Sequence, residues 1–170
     1  MIRAATPGDA AAIAAFWNPL IRDTAVTFSP TEKTGAEIAA MIRERQAFLV
    51  AEQDGATLGF ATYAQFRGGL GYAFAQEHTI ILAPAARGRG VGRALMAALE
   101  DAARGQGHHA MIGGVSGSNP AGIAFHAAIG YREVGRLPEV GWKLGRWHDL
   151  VLMQKMLGSS HVQNREASLE

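Results

Sequence analysis

Arg87, Gly88, Arg89, Gly90, Gly92 and Arg93 lie between an apolar β-branched run, Thr79-Ile80-Ile81-Leu82, and a strongly helical stretch from Val91 to Arg104. A strand feeding a glycine-spaced turn that opens a helix leaves backbone N–H groups without partners at the positive end of the helix dipole. Glycines at that turn let a phosphate come close to them. The stretch therefore reads as a pyrophosphate cradle, its plainer alternative being a turn between a core strand and a surface helix. Two familiar cradles are excluded. A Walker loop would end in Gly-Lys-Ser or Gly-Lys-Thr, and neither triplet follows. A dinucleotide fingerprint begun at Gly88 or at Gly90 would need its third glycine where Arg93 or Leu95 stands.

Other chemistries are bounded by what the chain lacks. It contains no cysteine, so disulfides, thiolate nucleophiles and zinc–thiolate centres are excluded. His78, His108, His109 and His148 have no metal-ligand spacing, and no metal is expected. A formal net charge of +1 supplies no field for steering nucleic acid or an anionic membrane. No apolar stretch reaches membrane-spanning length, and Met1-Ile2-Arg3-Ala4 enters a strand rather than a signal peptide. These features point to a cytoplasmic protein with a small-molecule partner.

The elements that must position the loop follow from periodicity. At 170 residues, 48 % of them hydrophobic, the chain suits one domain over 1–157, with a polar, disordered tail over 158–170 whose Leu169-Glu170 reads as a cloning remnant. Ile2 to Ala5 is a strand, and Thr6-Pro7-Gly8-Asp9 caps a helix to about Arg22. Phe28, in the irregular stretch that follows, is a candidate to cover a substrate pocket. Thr34-x-x-Glu37 is a capping box opening a helix to about Arg45. Asp54-Gly55 joins strands 47–53 and 57–65 as a hairpin. After Gly105, Met111 to Val115 is a buried strand. Ser118-Asn119-Pro120 starts a helix ended by Gly130, and 131–137, 140–144 and 148–157 finish the sheet. Gln76-Glu77-His78 reads as a lead-in to the Thr79 strand. The order predicts an α/β fold: a mixed, mostly antiparallel twisted sheet flanked by about four helices.

Arg87-x-x-Gly90-x-Gly92 resembles the acetyl-CoA loop of the GNAT superfamily of N-acetyltransferases, and the element order is the GNAT order. Three further stretches narrow the resemblance: Gln76 to Ile80, Gly117 to Tyr131 (GSNPAGIAFHAAIGY) and Glu139 to Asp149 (EVGWKLGRWHD). Together they are similar to the phosphinothricin and methionine sulfoximine acetyltransferase branch, across about residues 1 to 157.

The resemblance implies an acetyl-CoA-dependent enzyme that acetylates the α-amine of a small amino acid such as phosphinothricin, methionine sulfoximine or methionine sulfone, by direct attack in a ternary complex. Acetyl-CoA would lie along Ile80, Ile81 and Leu82, with its pyrophosphate on Arg87, Gly88, Arg89, Gly90, Val91, Gly92 and Arg93 and its pantetheine arm at Asn119. Glu77 stands where the branch has its base, and the Leu82 N–H is the implied oxyanion donor. His126 occupies the position of the superfamily's tyrosine acid and is open to three roles: base, proton donor or orienting group. Tyr72, Ala73 and Phe74 lie where the branch contacts substrate, with Phe28 and Trp142 as walls. Some relatives carry an arginine or lysine at the position of Gly71, so the counter-charge for an anionic side chain is unassigned. The branch implies a homodimer. Rival readings are acetylation of a protein N-terminus or a polyamine, and a non-catalytic CoA-binding sensor. A polyamine would call for an acidic cleft, and no run of carboxylates supplies one.

Overall fold

One seven-stranded sheet organises the computed structural model, which describes residues 1–158. In chain order the elements are β1 (Ile2–Ala4), α1 (Ala10–Asp23), α2 (Gly35–Glu44), β2 (Phe48–Gln53), β3 (Ala56–Gln65), β4 (Ala75–Leu82), α3 (Val91–Gly105), β5 (Ala110–Ser116), α4 (Pro120–Ala128), β6 (Arg132–Lys143) and β7 (Arg146–Met156). The strands lie in the order β1-β2-β3-β4-β5-β7-β6, antiparallel except for β4 and β5. The expected tail, apart from Gly158, and its Leu169-Glu170 lie outside the described residues.

Local chemistry explains most boundaries. Thr34 accepts from the Glu37 N–H at 3.2 Å while Glu37 accepts from the Thr34 N–H at 2.7 Å, the reciprocal capping that starts α2. Asp54 and Gly55 both have positive φ (51° and 76°), as a two-residue hairpin turn with the right twist requires. Asn119 caps α4 by accepting from the Gly122 N–H at 3.0 Å, with Pro120 at the first helical position.

Three boundaries differ from the sequence reading. β4 begins at Ala75, so Gln76-Glu77-His78 belongs to the strand itself; Gln76 and His78 are buried polar residues that hide its hydrophobic pattern. Residues 132–143 form one strand, with an irregular register between Leu137 and Gly141. Pro138 is tolerated there because β6 is the sheet edge. β7 starts at Arg146 because Leu144 and Gly145 make the turn, both at positive φ.

Side chains alternate across β4, and that alternation sets up the site. Ile81 points into the cluster formed by α1, α2, β2 and β3, with Ile13, Trp17, Ile38 and Phe60. Ile80 and Leu82 pack on the opposite cluster, with Leu95, Met96 and Leu99 of α3. Glu77 therefore faces the α1 side, and His78 the side of α3 and α4.

Candidate active site

β4 and β5 part company halfway along. Their parallel pairing runs from Ala75 opposite Ala110 to His78 opposite Gly113 and stops, while β4 continues to Leu82 and β5 to Ser116. Hydrogen-bond alternation then fixes which groups face the gap. The Phe66 N–H bonds the Ala75 carbonyl at 2.9 Å and the Ala83 N–H bonds the Leu58 carbonyl at 2.9 Å. With unbroken antiparallel register between them, the odd-numbered residues of β4 give their backbone groups to β3. The N–H and C=O of Ile80 and Leu82 consequently point into the opening. Those of Ile81 belong to the ladder with Phe60, so of the expected coenzyme strand only Ile80 and Leu82 can offer main-chain bonds.

A pocket of about 250 Å³ occupies this opening. Among the predicted site residues it brings together Phe28, Glu77, Ile80, Ile81, Asn119 and His126. Sequence reasoning missed Trp17, Thr27, His78, Thr79, Gly114 and Ser116, which also line it. Trp17 and His78 carried no separable signal, because each reads as ordinary core. The pocket contains one carboxylate, Glu77, and neither lysine nor arginine among its described lining residues.

Glu77 is half-buried, and burial pushes its carboxyl above the usual carboxylate range. Its carboxyl occupies this position beside a β5 neighbour that has no side chain. A Cβ on Gly114 would stand 2.9 Å from Glu77 Oε1.

His126 projects from α4 against His78. Their rings stack at 5.0 Å between centroids, with the two Nε2 atoms 3.2 Å apart. Burial holds both imidazoles below the ordinary histidine range, and His78, also pressed by its neighbour His126, falls to about 3.

Phe28 lines the pocket, and its loop is held from two sides. Asn18 of α1 accepts from the Lys33 N–H and donates to the Lys33 carbonyl, each at 2.9 Å, imitating a strand pair. From the β6–β7 hairpin the buried Lys143 Nζ donates to the carbonyls of Thr27 at 2.7 Å and Ser29 at 2.8 Å. The Phe28 ring stacks on His148 at 5.8 Å and lies against Gly141, where a Cβ would collide with it. His148 is itself pinned, donating through Nε2 to the Lys143 carbonyl at 3.0 Å and accepting at Nδ1 from Ser118 Oγ at 2.8 Å.

Beyond Leu82 the chain makes a short 3-10 turn and enters the glycine loop. Gly88 and Gly90 have φ of 72° and 76°, and a Cβ added at either would meet nothing within 4 Å, so the loop is open on its outer side. The first bond back into α3 is from the Ala94 N–H to the Gly90 carbonyl at 3.1 Å. The N–H groups of Val91, Gly92 and Arg93 precede it and have no intrahelical acceptor. This is a cradle that fits a phosphate through main-chain donors. All three arginines of the loop are exposed, and two of them are engaged within the chain: Arg89 bonds Gln53 Oε1 at 2.6 Å and Arg93 bonds the Ala128 carbonyl at 3.3 Å.

Four expected substrate contacts do not line the pocket. Tyr72 is exposed, with Arg67 over its ring at 5.5 Å. Ala73 lines a separate depression with Glu44 and Gln76. Phe74 gives its carbonyl to the His109 N–H at 2.8 Å. Trp142 stands on the outer hairpin against Trp147, at 5.0 Å between centroids. No group of three or more His, Asp or Glu suited to a metal ion occurs among the described residues. No described helix is long and apolar enough to cross a membrane.

Comparison with known proteins adds to this geometry. Residues 15–131 match the acetyltransferase (GNAT) family model. The chain is 34% identical over 160 residues to an L-methionine sulfoximine/L-methionine sulfone acetyltransferase of Salmonella typhimurium, covering 92% of this chain and 94% of the relative. It is 36% identical over 163 residues to a phosphinothricin N-acetyltransferase of Alcaligenes faecalis, covering 93% and 83%. A Salmonella typhimurium protein solved with its cofactor acetyl-CoA superposes with a TM-score of 0.91 at 33% identity, over 96% of this chain and 97% of that one.

Proposed function

The chain belongs to the acetyltransferase (GNAT) family, and from that premise we propose that it transfers the acetyl group of acetyl-CoA to the α-amine of a small amino acid resembling methionine sulfone, methionine sulfoximine or phosphinothricin. The observation that carries this reading is the open edge of β4. Main-chain groups of Ile80 and Leu82 border a split whose wall holds a desolvated carboxylate, and the same strand leads to the N–H groups of Val91 to Arg93. The bound donor supplies an activated thioester carbonyl.

This chain's residues supply the rest. In our reading the pyrophosphate rests on the Gly88 to Arg93 loop, the pantetheine arm pairs with the open main chain of β4, and Asn119, its Oδ1 engaged by Gly122, offers its amide N–H₂ from the β5 side. Glu77 accepts the proton released by the attacking amine, directly or through one water. The Leu82 N–H faces the oxygen on which negative charge develops. Nitrogen attacks the carbonyl carbon, the carbon–sulfur bond breaks, and the thiolate leaves with the coenzyme. Without a cysteine no thioester can form on the enzyme, in keeping with direct attack.

The pocket's size and its cover by Phe28 favour a free amino acid over a protein N-terminus. With no lysine or arginine among its described lining residues, hydroxyls of Thr27, Thr79 and Ser116 and main-chain N–H groups are left to receive the substrate carboxylate. The test is thiol release from acetyl-CoA across a panel of amino acids, polyamines and peptides. We expect turnover with methionine sulfone, methionine sulfoximine and phosphinothricin. Acetylation confined to polyamines or peptides, or tight acetyl-CoA binding without turnover on any amine, would overturn the assignment.

We further propose a cytoplasmic homodimer, in which the β6–β7 hairpin meets a second copy. Its outer face exposes Val140, Trp142, Leu144 and Trp147, with 56% and 55% of the two tryptophans open, on a sheet edge that carries no other strand among the described residues. Light scattering should give twice the mass of one chain, and Trp142→Glu should shift the protein towards monomer. A wild-type monomer at micromolar concentration excludes the pairing.

A further inference from the structure

The two stacked imidazoles reveal where their protons are. His126 Nδ1 lies 2.6 Å from the Gly122 carbonyl oxygen. A carbonyl only accepts, so that nitrogen carries a proton. Nε2 of a neutral His126 is then a bare acceptor, and the only hydrogen that can lie in its 3.2 Å contact with His78 Nε2 belongs to His78. His78 is thereby the opposite tautomer, with a bare Nδ1. That atom is buried and has no hydrogen-bond partner among the described residues.

The arrangement with both protons on His126 would bury an imidazolium without a counter-ion. Tyr131 approaches both rings edge-on, at 5.5 and 5.4 Å, and Phe125 flanks His126. Glu100 of α3 lies beyond Tyr131 and is engaged by Lys155 of β7 at 2.6 Å, with Arg104 beside it at 3.4 Å. Glu77, on the same strand as His78, projects to the other face of the sheet. No carboxylate among the described residues bonds either imidazole. Burial of an unpaired cation is costly, so the neutral arrangement wins.

We propose that His78 and His126 form one neutral unit with a single proton held between their Nε2 atoms, in which His78 is a positioning residue that commits both nitrogens of His126 and keeps that ring from exchanging protons with substrate. In the acetyl-transfer reading, on which this consequence rests, His126 orients the pocket wall and Glu77 alone receives the proton of the amine. The contact ties α4, with Asn119 at its start, to the strand that carries Glu77.

Protein labelled with 15N-histidine tests the unit without any assay of turnover. Long-range 1H–15N spectra should show His126 protonated at Nδ1 and His78 at Nε2, both unchanged between about pH 5.5 and 8. Either ring titrating in that range, or His126 protonated at Nε2, overturns the proposal. Two variants test the coupling. His78→Gln keeps an N–H that can reach His126 and should retain kcat/KM within about threefold. His78→Leu frees His126 Nε2 and should lose about tenfold or more, as a displaced catalytic wall does, with His126 beginning to titrate and a second inflection appearing in the pH–rate profile. Equal losses in both variants without a new inflection would mean that the ring is only filler. Should neither variant fold, the wild-type spectra still decide. Failure of the acetyl-transfer reading would leave the tautomers as assigned and remove only the kinetic result.

Discussion

Glu77→Gln is expected to lower kcat by about 10²- to 10⁴-fold, the usual contribution of a positioned general base, while acetyl-CoA binds within about twofold of its wild-type affinity. The substitution is nearly isosteric. It leaves untouched the main-chain edge of Ile80 and Leu82 and the loop at Gly88 to Arg93, where the coenzyme is held in our reading. What it removes is a carboxylate whose pKa burial raises above 4.5. Such a group is a stronger base than an exposed glutamate, because burial disfavours its charged form. Activity of the wild type should therefore fall as pH drops through that raised value, and this acid limb should vanish from the residual activity of the variant. Stability has the opposite sign. A carboxyl whose folded-state pKa lies above its unfolded value costs stability at neutral pH, a cost relieved as pH falls through the folded value. Glu77→Gln should consequently melt at or slightly above the wild-type temperature at pH 7. Isothermal titration with acetyl-CoA, steady-state kinetics and a melting curve separate these effects. Retained turnover at neutral pH would move the base elsewhere.

Much of this arrangement was legible in the residues. The Thr34–Glu37 capping box, Asp54-Gly55 and Asn119-Pro120 are local devices whose signal and function occupy the same few positions, so sequence and structure coincide there. The glycine loop was legible for the same reason, since a run of N–H groups at a helix start is a property of one segment. The pocket was not, because it is made by strands that separate. Nothing in Thr79 to Leu82 or in Met111 to Val115 states that their pairing ends at His78 and Gly113. The same limit hid His78. A histidine inside a strand carries no sign of partnership with another forty-eight residues away, and the pair became visible only when α4 packed over the split. Lys143 illustrates the converse: a lysine near a hairpin tip reads as solvated surface, yet it is buried and holds the loop of Phe28 across more than a hundred residues of chain. Tyr72, Ala73 and Phe74 were singled out by resemblance rather than by any pattern of their own, and in one chain they stand away from the pocket.

Gly113 and Gly114 were read only as part of a buried strand, yet they make opposite predictions. Side chains at successive positions of a strand point to opposite faces, so a methyl group at 114 enters the Glu77 side and one at 113 enters the imidazole side. At Gly114 the new Cβ would lie 2.9 Å from Glu77 Oε1 and 3.4 Å from Leu150 Cδ1. The closer atom ends a flexible, half-exposed side chain, which can swing away at little cost. Gly114→Ala should thus fold with a melting temperature within about 3 °C of wild type, but with Glu77 displaced from the amine and kcat reduced by about 10- to 100-fold. At Gly113 the Cβ would stand 2.8 Å from His78 Nε2 and 3.2 Å from His126 Nε2. Those rings are stacked and buried, and Tyr131 closes the way behind them. Relief there must move α4 or the strand, so Gly113→Ala should cost about 1 to 3 kcal/mol of stability, as overpacked cores do, together with its activity. The contrast is the test. If Gly114→Ala melts early and Gly113→Ala does not, the two faces of β5 have been assigned the wrong way round. If both keep full activity, neither the carboxylate nor the paired imidazoles are needed where they stand.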